Sequence, residues 1–131
     1  MFMQWLEKRQ VEALTLLRIV AGFIFWEHGA QKLLAFPTGR PLAAFTLLWF
    51  AGIVEFFGGL AITLGLFTRA VAFVAAGEMA VAYFTQHLPR GFWPIENMGE
   101  RAALFCFIYL YIATAGGGKL QLGNVAWKKP L

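Results

Sequence analysis

The chain has 131 residues, 60% of them hydrophobic and 14% charged, with a mean hydropathy of +0.64. Soluble domains are about 45–50% apolar and about 25% charged, and a chain this short has too little interior to bury such an excess, so an ordinary soluble domain is excluded. The net charge of +4 is scattered as single basic residues between apolar runs, which excludes nucleic acid as a partner, and a lone Cys106 excludes a disulfide, a CxxC redox pair and any all-cysteine metal site.

What remains is an all-α reading: an integral membrane four-helix bundle forming one domain over residues 1–131. Runs long enough to cross about 30 Å of hydrocarbon place the spans at about 11–36, 43–67, 69–88 and 98–116. Lys8 and Arg9 precede the first span as in a signal peptide. Arg18 interrupts that run and no small-residue cleavage site follows, so the segment is expected to be retained. The first span is also the most polar, with Arg18, Glu27, His28, Gln31 and Lys32, but residues 19–26 between them carry no polar group. At about 1.5 Å per residue it is long enough to cross with tilt.

Pro37 and Pro41 separate the first two spans, because helices seldom continue through proline. The second span is broken only by Glu55. The short link over residues 65–69 makes the second and third helices antiparallel neighbours, with Thr68 as the expected N-cap of the third, which carries Glu78. Pro89, Gly91 and Pro94 mark the longest connection. Asn97 and Glu100 then have the spacing of a capping box, with Asn97 as N-cap and Glu100 reaching back to it. The glycine run 116–118 reads as the stop of the last helix.

Lys8, Arg9, Arg69, Lys119, Lys128 and Lys129 collect on one side, against Arg40, Arg90 and, at a helix start, Arg101. The positive-inside rule therefore puts both termini in the cytoplasm of a multi-pass protein of the inner cell membrane.

Ionisable groups inside a span cost at least about 2.5–3.5 kcal/mol each on insertion scales, so each calls for a partner or a function. Arg18, Gly22, Phe25, Gly29 and Lys32 recur at helical spacing on the first span, as do Gly52, Glu55, Gly59 and Ile62 on the second. Small residues permit close approach, so these two faces are expected to meet. Counted by depth, the long side chain of Arg18 is expected to pair with Glu55 or Glu78. A second polar cluster, Glu27, His28, Lys32, His87, Glu100 and Arg101, falls toward the outer side. The two histidines lack a ligand-spacing motif, and no metal site is expected. The candidate ligand-binding or proton-handling residues are Arg18, Glu27, His28, Lys32, Glu55, Glu78 and Glu100. Purely structural ion pairs are the competing account of the same residues.

Three stretches in this order and spacing resemble the DoxX family of small four-helix membrane proteins. They are Arg18-x3-Gly22 with Gly29-Ala-Gln-Lys32, then Glu55-Phe-Phe-Gly-Gly59 with Gly65-Leu-Phe-Thr68-Arg69, and then Phe92-Trp-Pro-Ile-Glu-Asn97-Met-Gly-Glu100. Together they span residues from about 14 to 118. The family more often has glycine where Met98 stands. The resemblance implies an association with respiratory or thiol redox chemistry, as a membrane subunit of a quinone-linked oxidoreductase. On that implication the chain has no intrinsic cofactor, binds a quinone-like or other small hydrophobic ligand, and works with a partner redox enzyme or as a homo-oligomer within the bilayer. The alternative is a non-enzymatic binding, transport or scaffold protein.

Overall fold

The structure is a computed structural model that describes residues 1–126. Lys128 and Lys129, which contribute to the orientation argument, lie outside the described residues. Among the described residues the chain is helical and has no strand. The long helices are α2 (Gln10–Leu34), α3 (Leu47–Leu64), α4 (Thr68–Ala82) and α6 (Glu100–Ala115). Shorter ones are α1 (Phe2–Glu7), α5 (Pro94–Asn97) and α7 (Leu122–Ala126), and α4 runs on through a π-helical turn (Tyr83–His87) and a 3-10 turn (Leu88–Arg90).

α2 packs along the whole of α3, and α4 packs against α6, with α3 and α4 forming a narrower seam between the two pairs. Glycine sets the α2–α3 distance. A Cβ on Gly29 would run into the backbone of Phe56, and one on Gly59 into the backbone of Trp26. A Cβ on Gly22 would stand 2.7 Å from the amide nitrogen of Thr63. The two glycine faces meet as expected, in an antiparallel register that puts Gly22 opposite Thr63 and Gly52 opposite Lys32. Alanine plays the same part in α4, where Ala72, Ala75 and Ala76 are buried.

The core between the pairs is built on Phe25, Ile62, Met79, Tyr109 and Ile112. The Tyr109 hydroxyl donates to the carbonyl of Ala21 at 2.8 Å, and its ring lies 5.0 Å from that of Phe25. The large apolar side chains face outward instead: Leu16, Val20 and Phe23 on α2, Phe50 and Phe57 on α3, Phe73 and Val81 on α4, Leu104 and Phe107 on α6. A small-residue interior with an apolar exterior inverts the soluble pattern and suits a hydrocarbon solvent, where close packing rather than apolar burial joins helices. α2 and α3 are each long and apolar enough to cross a membrane.

Two helix starts differ from the sequence expectation. The N-cap of α4 is Phe67, in the left-handed region (φ 47°), and Thr68 is the first helical residue. Its hydroxyl is turned away to donate to Oε1 of Gln121 at 2.8 Å. The cap of α6 is Gly99, because Met98 takes the left-handed conformation (φ 62°) and resets the chain. Asn97 is fully buried and ties the outer loop together: its Oδ1 accepts from the Gly99 amide (2.8 Å), and its Nδ2 donates to the carbonyl of Gly91 (2.9 Å) and to the Tyr83 hydroxyl (3.3 Å). Glu100 is exposed and makes no return bond among the described residues.

Candidate functional site

The expected pairing of Arg18 with Glu55 or Glu78 does not form. Arg18 is completely buried, and its guanidinium donates to five backbone carbonyls. Nε bonds Gly117 (2.7 Å), one terminal nitrogen bonds Ile62 and Thr63 (2.8 Å each), and the other bonds Lys119 (2.8 Å) and Leu120 (3.0 Å). Ile62 and Thr63 supply carbonyls from the last turn of α3, which carries the negative end of the helix dipole; the Ile62 carbonyl also accepts from the Gly65 amide at 3.1 Å. The reason for the misplacement is length. α2 is seven residues longer than α3, and its first two turns project past the end of its neighbour. Arg18 therefore stands level with the α3–α4 turn. In the antiparallel register Glu55 faces α2 roughly a dozen residues further along, about 18 Å away.

Around this guanidinium the Arg18 end is stitched from several segments. Thr15 Oγ1 donates to the Val11 carbonyl (2.7 Å) and accepts from the Lys119 amide (2.8 Å). Gly116 and Gly118 hold positive φ (88° and 77°), which lets the chain after α6 fold back over Arg18. Arg69 reaches across to the Thr114 carbonyl at 3.0 Å.

The partner of the Glu55 carboxylate is Lys32. Its Nζ lies 2.6 Å from both oxygens, with the Glu55 side chain almost fully buried. Lys32 sits one helical turn beyond Gly29 on the same face of α2, so the close approach of the two backbones delivers its ammonium directly to α3. Beside this pair is a cavity of about 140 Å³. Its polar lining is His28, Lys32, Glu55, His87 and Arg101, and its apolar walls include Phe25, Phe105, Met79 and Met98. His87 enters from the π-helical turn, where the wider coil offsets its ring from the α4 face, and Nδ1 lies 3.1 Å from the Asn97 carbonyl. A carbonyl only accepts, so that nitrogen carries the proton and Nε2 is left with a lone pair.

The structure thus brings together three of the seven candidate residues, His28, Lys32 and Glu55. Glu78 lies within electrostatic reach of Glu55 and Lys32, but neither of its buried carboxylate oxygens has a hydrogen-bond partner among the described residues. Glu27 is half-buried on α2 and does not line the cavity. Glu100 lines a separate open cleft of about 250 Å³ with Pro94, Ile95, Met98 and Arg101. Arg18 belongs to the opposite end. The sequence reading did not name Met79 or Met98 as cavity residues, and it gave Asn97 a capping role rather than the loop-binding one found here.

A family model for DoxX matches residues 13–88. The chain belongs to the DoxX family. The matched part of this DoxX chain carries α2, α3 and α4, and with them Arg18, His28, Lys32, Glu55, Glu78 and His87; Arg101 and the glycine turn over Arg18 fall beyond it. An uncharacterized protein of Haemophilus influenzae is 40% identical over 131 residues, covering 95% of this chain and 98% of the relative. No solved structure matches the DoxX chain.

Proposed function

We propose that this DoxX protein is a four-span protein of the inner cell membrane with both termini in the cytoplasm, and that it binds a quinone-like ring in the cavity beside Lys32 and Glu55 as the membrane subunit of a redox complex. The observation that carries the reading is the placement of a part-buried ion pair and two histidines around one ring-sized cavity walled by Phe25 and Phe105. A cavity of about 150 Å³ is large enough for a benzene ring. Four crossings need four long helices. α4 with its π-helical turn gives twenty continuous residues and α6 sixteen, about 30 Å and about 24 Å of helix. Their outward faces are apolar. Lys8, Arg9, Arg69 and Lys119 lie at the Arg18 end and Arg40, Arg90 and Arg101 at the other, which under the positive-inside rule makes the Arg18 end cytoplasmic.

Reduction of a quinone to the quinol takes up two electrons and two protons. This chain has no redox centre of its own sequence type, so the electrons come from a partner oxidoreductase. The protein's share is to orient the ring and to manage protons: His28 and Lys32 offer nitrogen donors to the ring oxygens, the lone pair on His87 Nε2 accepts from a quinol hydroxyl, and Glu55 is the base that holds Lys32 in place. A scaffold whose charges only tie helices together is the second reading, and the closed geometry of the Lys32–Glu55 pair favours it. It leaves the cavity and the unpartnered Glu78 without an account.

The test is a titration of the protein in nanodiscs with a short-chain quinone analogue, followed by tryptophan quenching. The reading expects saturable quenching that weakens at least tenfold in His87→Leu. A linear response with no saturation would leave the scaffold standing.

A further inference from the structure

Charge in the cavity is unbalanced. Lys32 is neutralised by Glu55, which takes both of its oxygens to the one ammonium. The other acid near the cavity floor, Glu78, is not part of its lining. Arg101 is part of the lining, and among the described residues it has no counter-ion and no hydrogen-bond partner. It stands within electrostatic reach of His28. The fixed lining charges are thus two cations and one anion, with two imidazoles beside them.

Arg101 and Met98 also have a second position. Both line the half-open cavity and the more open cleft formed with Pro94, Ile95 and Glu100 on the surface of the Asn97 end. They form the wall shared by the two spaces. Met98 is exposed and has a flexible thioether side chain, and Arg101 begins α6 rather than sitting in its interior. A solute passing from the cleft to the cavity crosses these two side chains first, one apolar and one cationic.

We propose that the cavity takes a ring-sized organic monoanion, an apolar ring bearing one negatively charged oxygen head group, which enters from the surface cleft past Arg101 and Met98. This rests on the reading of the cavity as a ligand site and narrows the charge of the ligand and its route. The apolar walls favour the ring, and the single uncompensated cation favours one negative charge on it. The head group lies toward Arg101 and His28, and the ring toward Phe25 and Phe105.

The experiment uses the full chain in phosphatidylcholine nanodiscs, where no anionic lipid competes, with binding read by calorimetry and by ligand saturation-transfer NMR. Benzoate is the anionic probe, benzyl alcohol its neutral counterpart of similar shape, formate an anion without a ring, and a short-chain quinone analogue the fourth arm. Benzoate is expected to bind at least tenfold more tightly than benzyl alcohol or formate. Arg101→Gln should erase the preference over benzyl alcohol, Arg101→Lys should keep most of it, and Lys119→Gln, which removes a cation at the far end, should leave it unchanged. Equal or tighter binding of benzyl alcohol, equal binding of formate, or a benzoate preference that survives Arg101→Gln overturns the proposal. If the quinone analogue binds and benzoate does not, the anion proposal fails while the quinone reading stands. If benzoate alone binds, the proposal stands and the quinone falls; if no probe binds, both fall.

Discussion

At the Arg18 end, one buried cation meets five backbone carbonyls and no acid. At the Lys32 end, a half-buried cation meets a buried carboxylate beside a cavity, and a second carboxylate nearby has no hydrogen-bond partner among the described residues. The same α2 face carries both, fourteen residues apart. Carbonyls cannot titrate and are fixed by the helices and turns that own them, so the Arg18 arrangement has a single state. Ammonium and carboxylate can exchange a proton and can separate, so the Lys32 arrangement has several. Permanent charge held by backbone suits construction; exchangeable charge held by side chains suits a site.

Substitutions test that contrast. Arg18→Ala should be the most damaging single change, because it removes the side-chain donor of five carbonyls at once, and of these only Ile62 keeps a backbone partner among the described residues, the Gly65 amide. A hydrogen bond to a charged group contributes about 1.5–3 kcal/mol, so even with strong non-additivity the loss should be on the order of 5 kcal/mol, read as failure to recover folded protein from detergent. Recovery and melting temperature equal to the parent would dissolve the contrast. Lys32→Met should come next, at about 3 kcal/mol, because it leaves Glu55 buried and unpaired. The double change Lys32→Met with Glu55→Leu should return most of that stability while ligand binding stays lost, and thermal melts with the quinone titration separate the two effects. If the double variant is as unstable as the single one, the pair is structural in the same sense as Arg18. The smallest effect is expected for Glu78→Gln. Nothing among the described residues bonds the carboxylate, so melting should shift by no more than about 1 kcal/mol equivalent and in the stabilising direction. A loss above about 2 kcal/mol would mean that Glu78 holds a partner that matters to the fold.

How much of this was legible in the sequence follows from what carries a sequence signal. The α2–α3 contact was legible because glycine at helical spacing has a single physical use there, and the structure places Gly22, Gly29, Gly52 and Gly59 in that contact. The core between α4 and α6 was less so, since alanine is common in helices for other reasons. The partner of Arg18 was not legible as a partner. Every residue has a carbonyl, so no side chain marks the acceptors. The trace it left was the run of three glycines after α6, two of which, Gly116 and Gly118, shape the turn with positive φ, and that run reads equally well as a helix stop. Depth counting misled in the same place: it assumed helices of equal reach, and α2 overhangs α3 by two turns. For the cavity, His28, Lys32 and Glu55 were named from the sequence, while Met79, Met98 and Phe105 were not, because an apolar wall residue looks like any other apolar residue until the fold supplies the other walls.

Arg18 also dictates when the molecule can be finished. Its carbonyl acceptors come from positions 62 and 63 and then from 117, 119 and 120. During synthesis the guanidinium is made early, gains two acceptors when the second long helix is complete, and waits for the other three until nearly the whole chain has emerged. Up to that moment the helices can be inserted in the bilayer yet not latched to one another. A nascent chain stalled or trimmed just short of residue 117 therefore lacks three of the five acceptors and leaves the guanidinium only partly satisfied.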